Sequence, residues 1–149
     1  MKIKEFLANR YFIREADEKD SMKIEALAKK ASPLRPSVAG TYEYLALCFK
    51  RYFLVAIDED ILGFIIGLPN IDNKNESWIY QIAVHPSYRR KKIASNLLKM
   101  EIERLTDDNF KKIKARILST NNRSFKFFNK YGFNMVGYID NWIEVEKEL

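Results

Sequence analysis

The chain has 149 residues, of which 47% are hydrophobic and 31% are charged, with only 5 glycines and 4 prolines. This composition predicts one packed domain over residues 1–149, with a core at about 11–145, and it excludes a disordered, fibrous or collagen-like chain. The net charge of +6 indicates an acidic partner, and nucleic acid, an anionic membrane surface or a phosphate-rich cofactor would each satisfy it.

Hydrophobic periodicity and turn residues predict eleven elements after a helical or frayed lead-in at residues 1–10. In chain order they are a strand at 11–16, helices at 21–30 and 41–51, strands at 52–57, 61–68 and 78–84, a helix ending near Leu105, a strand at 113–118, a helix at 124–131, and strands at 133–138 and 142–145. This order predicts an α/β fold with a mixed, mostly antiparallel sheet and helices on both faces.

The cysteine and histidine content limits the chemistry available to the chain. Cys48 lies in an apolar run and is predicted to be a buried thiol; the alternative, a nucleophile, would need His85 as its partner. One cysteine and one histidine do not make a metal site, and no metal is expected. No disulfide framework, leader-like segment or apolar stretch of about 18 residues is evident, so we expect a cytoplasmic protein without membrane contact.

The most informative segment is the end of the third central strand and the helix that follows it. The strand stops at His85-Pro86, the basic run Arg89-Arg90-Lys91-Lys92 follows, and an amphipathic helix begins at once. The free N–H groups of a helix's first turn, surrounded by cations, make a seat for pyrophosphate. A solvated basic run is the alternative interpretation.

This segment resembles the acyl-CoA-binding motif of the GNAT N-acetyltransferase superfamily, Val-x-Pro followed by Arg/Gln-x-x-Gly-x-Gly/Ala. Arg89 and Ala94 match the first and last positions, whereas Lys92 replaces the middle glycine and Arg90 stands where a glycine is also common. The strand and helix at 12–30 and the segment Asn121 to Phe133 are similar to the family's opening and closing motifs. The resemblance covers about residues 11–145.

The resemblance implies an acetyltransferase that uses acetyl-CoA as donor and a primary amine as acceptor. The residues implied in binding the donor are Ile82, Ala83, Val84, Arg89, Arg90, Lys91, Lys92, Ile93, Ala94, Asn121 and Phe128. Phe128 takes the position often held by a tyrosine that protonates the leaving thiolate, and Tyr131 is the alternative donor. Glu76 is our candidate general base, because it is the carboxylate nearest the central strand, and an exposed loop charge is its other interpretation.

A narrower similarity concerns the acceptor. Residues 41–49 and the strands after them resemble the branch of the family that acetylates L-2,4-diaminobutyrate, which indicates a small diamino acid. Tyr42, Glu43 and Gln81 are the candidate acceptor residues, with Glu43 pairing a second ammonium. The alternatives are a protein N-terminal or lysine acetyltransferase and a non-catalytic acyl-CoA sensor. A nucleic-acid module is disfavoured, because the basic residues are dispersed.

The last predicted strand, which contains Trp142, allows two arrangements. It pairs with a second copy of the chain in a homodimer, or it is an exposed edge protected by Glu144, Glu146 and Lys147.

Overall fold

The computed structural model describes residues 10–149, so the predicted lead-in lies outside the described residues except for Arg10. The predicted order of elements is confirmed. The elements are β1 (Phe12–Glu15), α1 (Ser21–Lys30), α2 (Ala39–Cys48), β2 (Phe53–Ile57), β3 (Ile61–Pro69), β4 (Glu76–Val84), α3 (Ile93–Asp107), β5 (Lys112–Leu118), α4 (Asn122–Lys130), β6 (Asn134–Ile139) and β7 (Trp142–Glu148).

Two helices differ from their predicted bounds for local reasons. The second helix stops at Cys48, because residues Lys50–Tyr52 form a separate 3₁₀ turn. The last helix begins two residues early, at Asn122, because the Asn121 Oδ1 atom accepts a hydrogen bond from the Ser124 N–H at 3.2 Å and caps its first turn.

The seven strands form one sheet in the order β1-β2-β3-β4-β5-β7-β6. Neighbours are antiparallel except β4 and β5, which are parallel and joined by the crossover helix α3. Strand β7 lies between β5 and β6, so the prediction that the last strand is an edge was wrong. Both of its sides are paired within the chain, and the edge strands of the sheet are β1 and β6.

The sheet is covered on both faces over its first half. In β2, Leu54 and Ala56 belong to the core cluster that includes helix α3, whereas Phe53 and Val55 belong to the cluster that includes helices α1 and α2. Side chains alternate between the faces of a strand, so a strand buried on both faces is apolar throughout. This burial explains the unbroken apolar runs of β2 and β3.

Cys48 is exposed, so its expected burial was wrong. Helix α2 turns Tyr42 and Ala46 toward the sheet. Cys48 is two residues beyond Ala46, which places it about 200° further around the helix and toward solvent.

Strands β4 and β5 pair only over their first halves. The parallel register runs from Glu76–Lys112 to Ile79–Ala115, although β4 continues to Val84 and β5 to Leu118. The β3–β4 register also shifts by one residue between Ile66–Gln81 and Gly67–Ile79, which makes Tyr80 a bulge. The two central strands therefore separate, and a cleft opens between them.

Candidate active site

A first cavity of about 530 Å³, here called the donor cleft, lies between the end of β4 and the start of α3. The β4 residues Ile82, Ala83 and Val84 form one wall, and the first turn of α3, at Ile93 and Ala94, forms another. The unpaired half of β4 leaves the edge of this strand open toward the cleft. The predicted donor-binding segments therefore come together in space.

The basic loop before α3 supplies most of the charge of the donor cleft. Arg89, Arg90 and Lys92 line it, whereas Lys91 does not and places its Nζ atom 5.6 Å from the Tyr88 ring centroid. Arg90 (φ 69°) and Lys92 (φ 61°) have left-handed backbone conformations. Glycine adopts this conformation without a steric cost, which explains why related motifs place glycine at these two positions.

Two further cations, Arg123 and Lys130 of α4, face the same cleft. The sequence analysis missed them, although Arg123 lies inside the motif that resembles the family's closing segment. Burial lowers the pKa of Arg89, and the nearby charge of Arg123 lowers it further. Among residues 10–149, no aspartate or glutamate lines this cleft. The site therefore holds mutually repelling cations that an anion such as pyrophosphate would neutralise.

A second cavity of about 230 Å³, here called the acceptor cavity, lies between the separated halves of β4 and β5. It shares Pro33, Leu34, Ile82, Asn121 and Ser124 with the donor cleft, so the two spaces adjoin. Its volume is below the range of about 300–1,000 Å³ that is usual for drug-sized ligands. It therefore suits a small acceptor.

A polar network fixes the wall of the acceptor cavity. Tyr42 Oη donates to Gln81 Oε1 at 2.7 Å, and Gln81 Nε2 donates to the Arg35 carbonyl at 3.0 Å. The Ser37 N–H donates to Tyr42 Oη at 3.1 Å, and the Ser37 and Tyr80 hydroxyls are 2.7 Å apart. Burial raises the pKa of Tyr42, so its hydroxyl stays a donor. These bonds tie the loop between α1 and α2 to the bulge of β4.

The predicted acceptor residues separate in the structure. Gln81 lines the acceptor cavity, and Tyr42 supports Gln81 from behind it. Glu43 is exposed on α2 and lines neither cavity. The sequence analysis missed Arg35, Arg116 and Trp142, which line this cavity from three separate elements.

The predicted catalytic residues also lie in different places. Phe128 is buried at 3% exposure and lines the acceptor cavity, whereas Tyr131 lines the donor cleft with its ring 5.1 Å from that of Phe127. Glu76 lines neither cavity. Its carboxylate accepts hydrogen bonds from Trp78 Nε1 at 2.9 Å, Asn70 Nδ2 at 3.1 Å and Asn73 Nδ2 at 3.2 Å. Catalysis by Glu76 or Tyr131 stays a prediction.

His85, the possible partner of Cys48 in the sequence analysis, has a structural role. His85 caps the turn before the basic loop, because its Nδ1 atom accepts from the Ser87 N–H at 3.1 Å. Within residues 10–149, no group of three His, Cys, Asp or Glu side chains is placed to hold a metal ion. No helix in that part of the chain is long and apolar enough to cross a membrane.

The sheet with its central separation, the basic loop and the two adjoining cavities define an acyl-transfer fold. The sequence model of the acetyltransferase (GNAT) family matches residues 14–133, which are most of the chain. The chain therefore belongs to the GNAT family, and its predicted class, N-acetyltransferase, is confirmed.

Three relatives of known name are similar to this chain in sequence. An L-2,4-diaminobutyric acid acetyltransferase of Vibrio cholerae is 27% identical over 121 residues, which are 80% of this chain and 70% of that protein. Alignments with two relatives of the same name, from Vibrio parahaemolyticus and Marinococcus halophilus, span only 45% and 55% of those proteins. The first alignment thus covers most of both chains, whereas the other two cover about half of each relative.

Solved structures share the fold. Ard1 from Thermoplasma volcanium superposes with a TM-score of 0.84 at 21% identity, over 93% of this chain and 97% of that one. The diaminobutyrate acetyltransferase EctA from Paenibacillus lautus, solved with L-2,4-diaminobutyric acid and coenzyme A, gives 0.81 at 20% identity, over 91% and 93%. At such identities the likeness shows the fold alone.

Replacing Tyr42 by phenylalanine is expected to lower the free energy of unfolding by about 1–3 kcal/mol, because the buried Gln81 Oε1 and the Ser37 N–H each lose a partner. Thermal melting measures this change. Tyr44→Phe is the matched control, since Tyr44 is 70% exposed on the same helix. Equal melting temperatures for the two variants would contradict the role of the network.

Proposed function

We propose that this protein transfers an acetyl group from acetyl-CoA to a primary amine of a small molecule, by direct attack while both substrates are bound. The observation that supports this most is that two unlike cavities adjoin. A larger cationic cleft meets a small cavity at Ile82, Asn121 and Ser124. A thioester in the first cavity and an amine in the second would meet at this junction.

The residues of the donor cleft fit acetyl-CoA. Arg89, Arg123 and the first turn of α3 would hold the pyrophosphate, and the open edge of β4 at residues 82–84 would hold the pantetheine arm. The thioester supplies an activated acetyl group, and its thiol, with a pKa near 8.5, leaves readily as a thiolate. Tyr131, on the donor side, is our proposed proton donor to that thiolate.

The acceptor must lose a proton before it attacks. Deprotonation of an amine with a pKa of about 10.4 costs roughly 4–5 kcal/mol at pH 7. Arg35 and Arg116 line the acceptor cavity, and no carboxylate among the described residues does. The described residues that line this cavity therefore supply no carboxylate base. The nitrogen lone pair then attacks the thioester carbon and the carbon–sulfur bond breaks. The proton that nitrogen loses replaces the one that Tyr131 gives to the thiolate.

L-2,4-diaminobutyrate is the acceptor that we propose to test first. The named relatives act on it, the cavity of about 230 Å³ has room for it, and the wall at Tyr80 and Gln81 offers polar groups. Protein amines are the second class, because the ribosomal-protein-S18-alanine N-acetyltransferase from Escherichia coli also shares the fold.

The test is release of CoA thiol from acetyl-CoA with a panel of diamino acids, diamines, polyamines and short peptides. Rapid release with a small diamino acid supports the proposal. Release with peptides alone would indicate an N-terminal or lysine acetyltransferase. Binding of acetyl-CoA without release for any amine would indicate a non-catalytic sensor.

Glu76→Gln tests the predicted base. A general base contributes typically 10²- to 10⁴-fold to the rate. Because the Glu76 carboxylate holds the side chains of Asn70, Asn73 and Trp78, we expect kcat to change by less than about threefold and the melting temperature to fall. A loss of kcat by about 100-fold with unchanged melting would instead assign the base to Glu76.

A further inference from the structure

The charge of the acceptor cavity is the feature that neither the family nor the proposed reaction explains. Two arginines, Arg35 and Arg116, are among the residues that line a space of about 230 Å³, and no acidic residue among residues 10–149 lines it. A site for polyamines would need carboxylates to pair with the additional ammonium groups. This cavity presents the opposite charge.

Arg35 is held in place at the mouth of the cavity. Its carbonyl accepts the Gln81 Nε2–H bond at 3.0 Å, and the loop around it is anchored through Ser37 to Tyr42 and Tyr80. Its guanidinium lies 5.8 Å from the centroid of the Trp142 ring, and no ion pair joins it to any residue in the described range. A positioned arginine whose charge is not neutralised is suited to bind an anion.

Arg116 approaches from the opposite strand, β5. Its guanidinium lies 5.4 Å from the Trp78 ring centroid, and its Nε atom donates to Glu144 Oε1 at 3.2 Å. Glu144 also pairs with Lys114 at 3.0 Å, so one carboxylate is shared between two cations. Within residues 10–149 the terminal Nη atoms of Arg116 donate no hydrogen bond. They remain available to a ligand.

We propose that the acceptor amine carries a carboxylate, and that Arg35 and Arg116 bind this carboxylate while the amine points to the junction with the donor cleft. The inference rests on the proposed function. Guanidinium and carboxylate groups match as planar, two-pronged partners. The selected substrate class is therefore amino acids with a side-chain or terminal amine, and diamines and polyamines without a carboxylate are disfavoured.

Two acceptors that share the same three-carbon diamine unit test this inference. L-2,4-diaminobutyrate and 1,3-diaminopropane differ only by the carboxylate. At saturating acetyl-CoA, we expect kcat/KM to be about 100-fold higher for the first. Arg35→Gln and Arg116→Gln are each expected to lower kcat/KM for diaminobutyrate by about tenfold or more, and to change that for diaminopropane by less than about twofold.

Control variants separate this effect from general charge and from folding. Lys50→Gln removes one exposed positive charge that lines neither cavity, and we expect it to leave both acceptors unaffected. Arg35→Lys keeps the positive charge, so we expect it to retain more of the preference for diaminobutyrate over diaminopropane than Arg35→Gln does. Equal kcat/KM values for the two acceptors in the wild type, or an equal loss for both in Arg35→Gln, would overturn the inference while leaving the acetyltransferase function intact.

A failure of the proposed function has a different signature, which is the absence of thiol release with either acceptor. Calorimetric binding of L-2,4-diaminobutyrate in the presence of CoA then tests the carboxylate site by itself. Binding that is lost in Arg35→Gln and kept in Lys50→Gln supports the inference. No binding to the wild type, or binding that is insensitive to both arginines, overturns it.

Discussion

Replacing Arg89 and Arg123 together by glutamine is expected to raise the Kd for acetyl-CoA by about 100-fold or more, since each charge-assisted hydrogen bond is worth about 1.5–3 kcal/mol. Each single variant should raise it by about tenfold. These two arginines face one cleft, and the charge of Arg123 helps to lower the pKa of Arg89. Calorimetric titration of acetyl-CoA measures the affinity.

The salt dependence of binding gives an independent measurement of the same contacts. Wild-type affinity should fall as ionic strength rises, because dissolved ions screen the arginine–phosphate attraction. The double variant should lose part of this dependence, because Arg90, Lys92 and Lys130 still line the cleft, and Lys50→Gln should keep all of it. Unchanged affinity in the double variant would show that the pyrophosphate does not bind at this cleft.

Glu101→Met is expected to stabilise the protein at pH 8 and to have a much smaller effect at pH 4. Glu101 is fully buried on α3, and neither of its carboxylate oxygens has a hydrogen-bond partner among the described residues. Gly67 lies opposite, so close that a Cβ atom built there would be 2.5 Å from Glu101 Oε2. Burial raises the pKa of Glu101 well above 4.5, and the charge of Arg104 only partly opposes this shift.

The direction of the pH effect follows from the protonation of Glu101 in the folded and the unfolded chain. Below about pH 4.3 the carboxyl is protonated in both the folded and the unfolded chain, so it carries no charge-burial penalty. As pH rises above that value, the unfolded chain ionises first and the wild type loses about 1.4 kcal/mol per pH unit until the folded pKa is reached. Methionine cannot ionise, so Glu101→Met lacks this loss.

Chemical denaturation at pH 4, 6 and 8 measures this difference. Glu43→Met is the matched control, because Glu43 is exposed on helix α2, and we expect its effect to stay within about 0.5 kcal/mol at each pH. A Glu101→Met variant that is less stable than the wild type at pH 8 would show that the ionised carboxylate is stabilised in the folded protein.

Much of the donor cleft could be predicted because its parts are close in the chain. The end of β4, the basic loop and the first turn of α3 occupy residues 82–94, and their chemistry depends on local features such as a strand end, a cationic run and a helix start. Of the donor-binding residues predicted in this run, only Lys91 does not line the cleft, and its ammonium lies near the Tyr88 ring. A side chain's direction within a loop depends on backbone angles that residue types do not specify.

The acceptor cavity was predicted less well because its residues are far apart in the chain. Arg35 follows α1, Arg116 is on β5 and Trp142 begins β7, and none of these residues belongs to a motif. Only the separation of β4 from β5 and the insertion of β7 beside β5 bring them together. Glu76, by contrast, is close to Gln81 in the chain, yet its side chain is bound to the preceding loop.

The sequence by itself determined the identity and order of the secondary-structure elements, because apolar periodicity and turn residues are local signals that burial on a sheet requires. It also determined the cationic character of the donor loop. The tertiary structure decided the strand order, the exposure of Cys48, the burial of Glu101 and the charge of the acceptor cavity. These properties depend on contacts between distant segments, whose pairing and register are decided by the packing of the whole sheet.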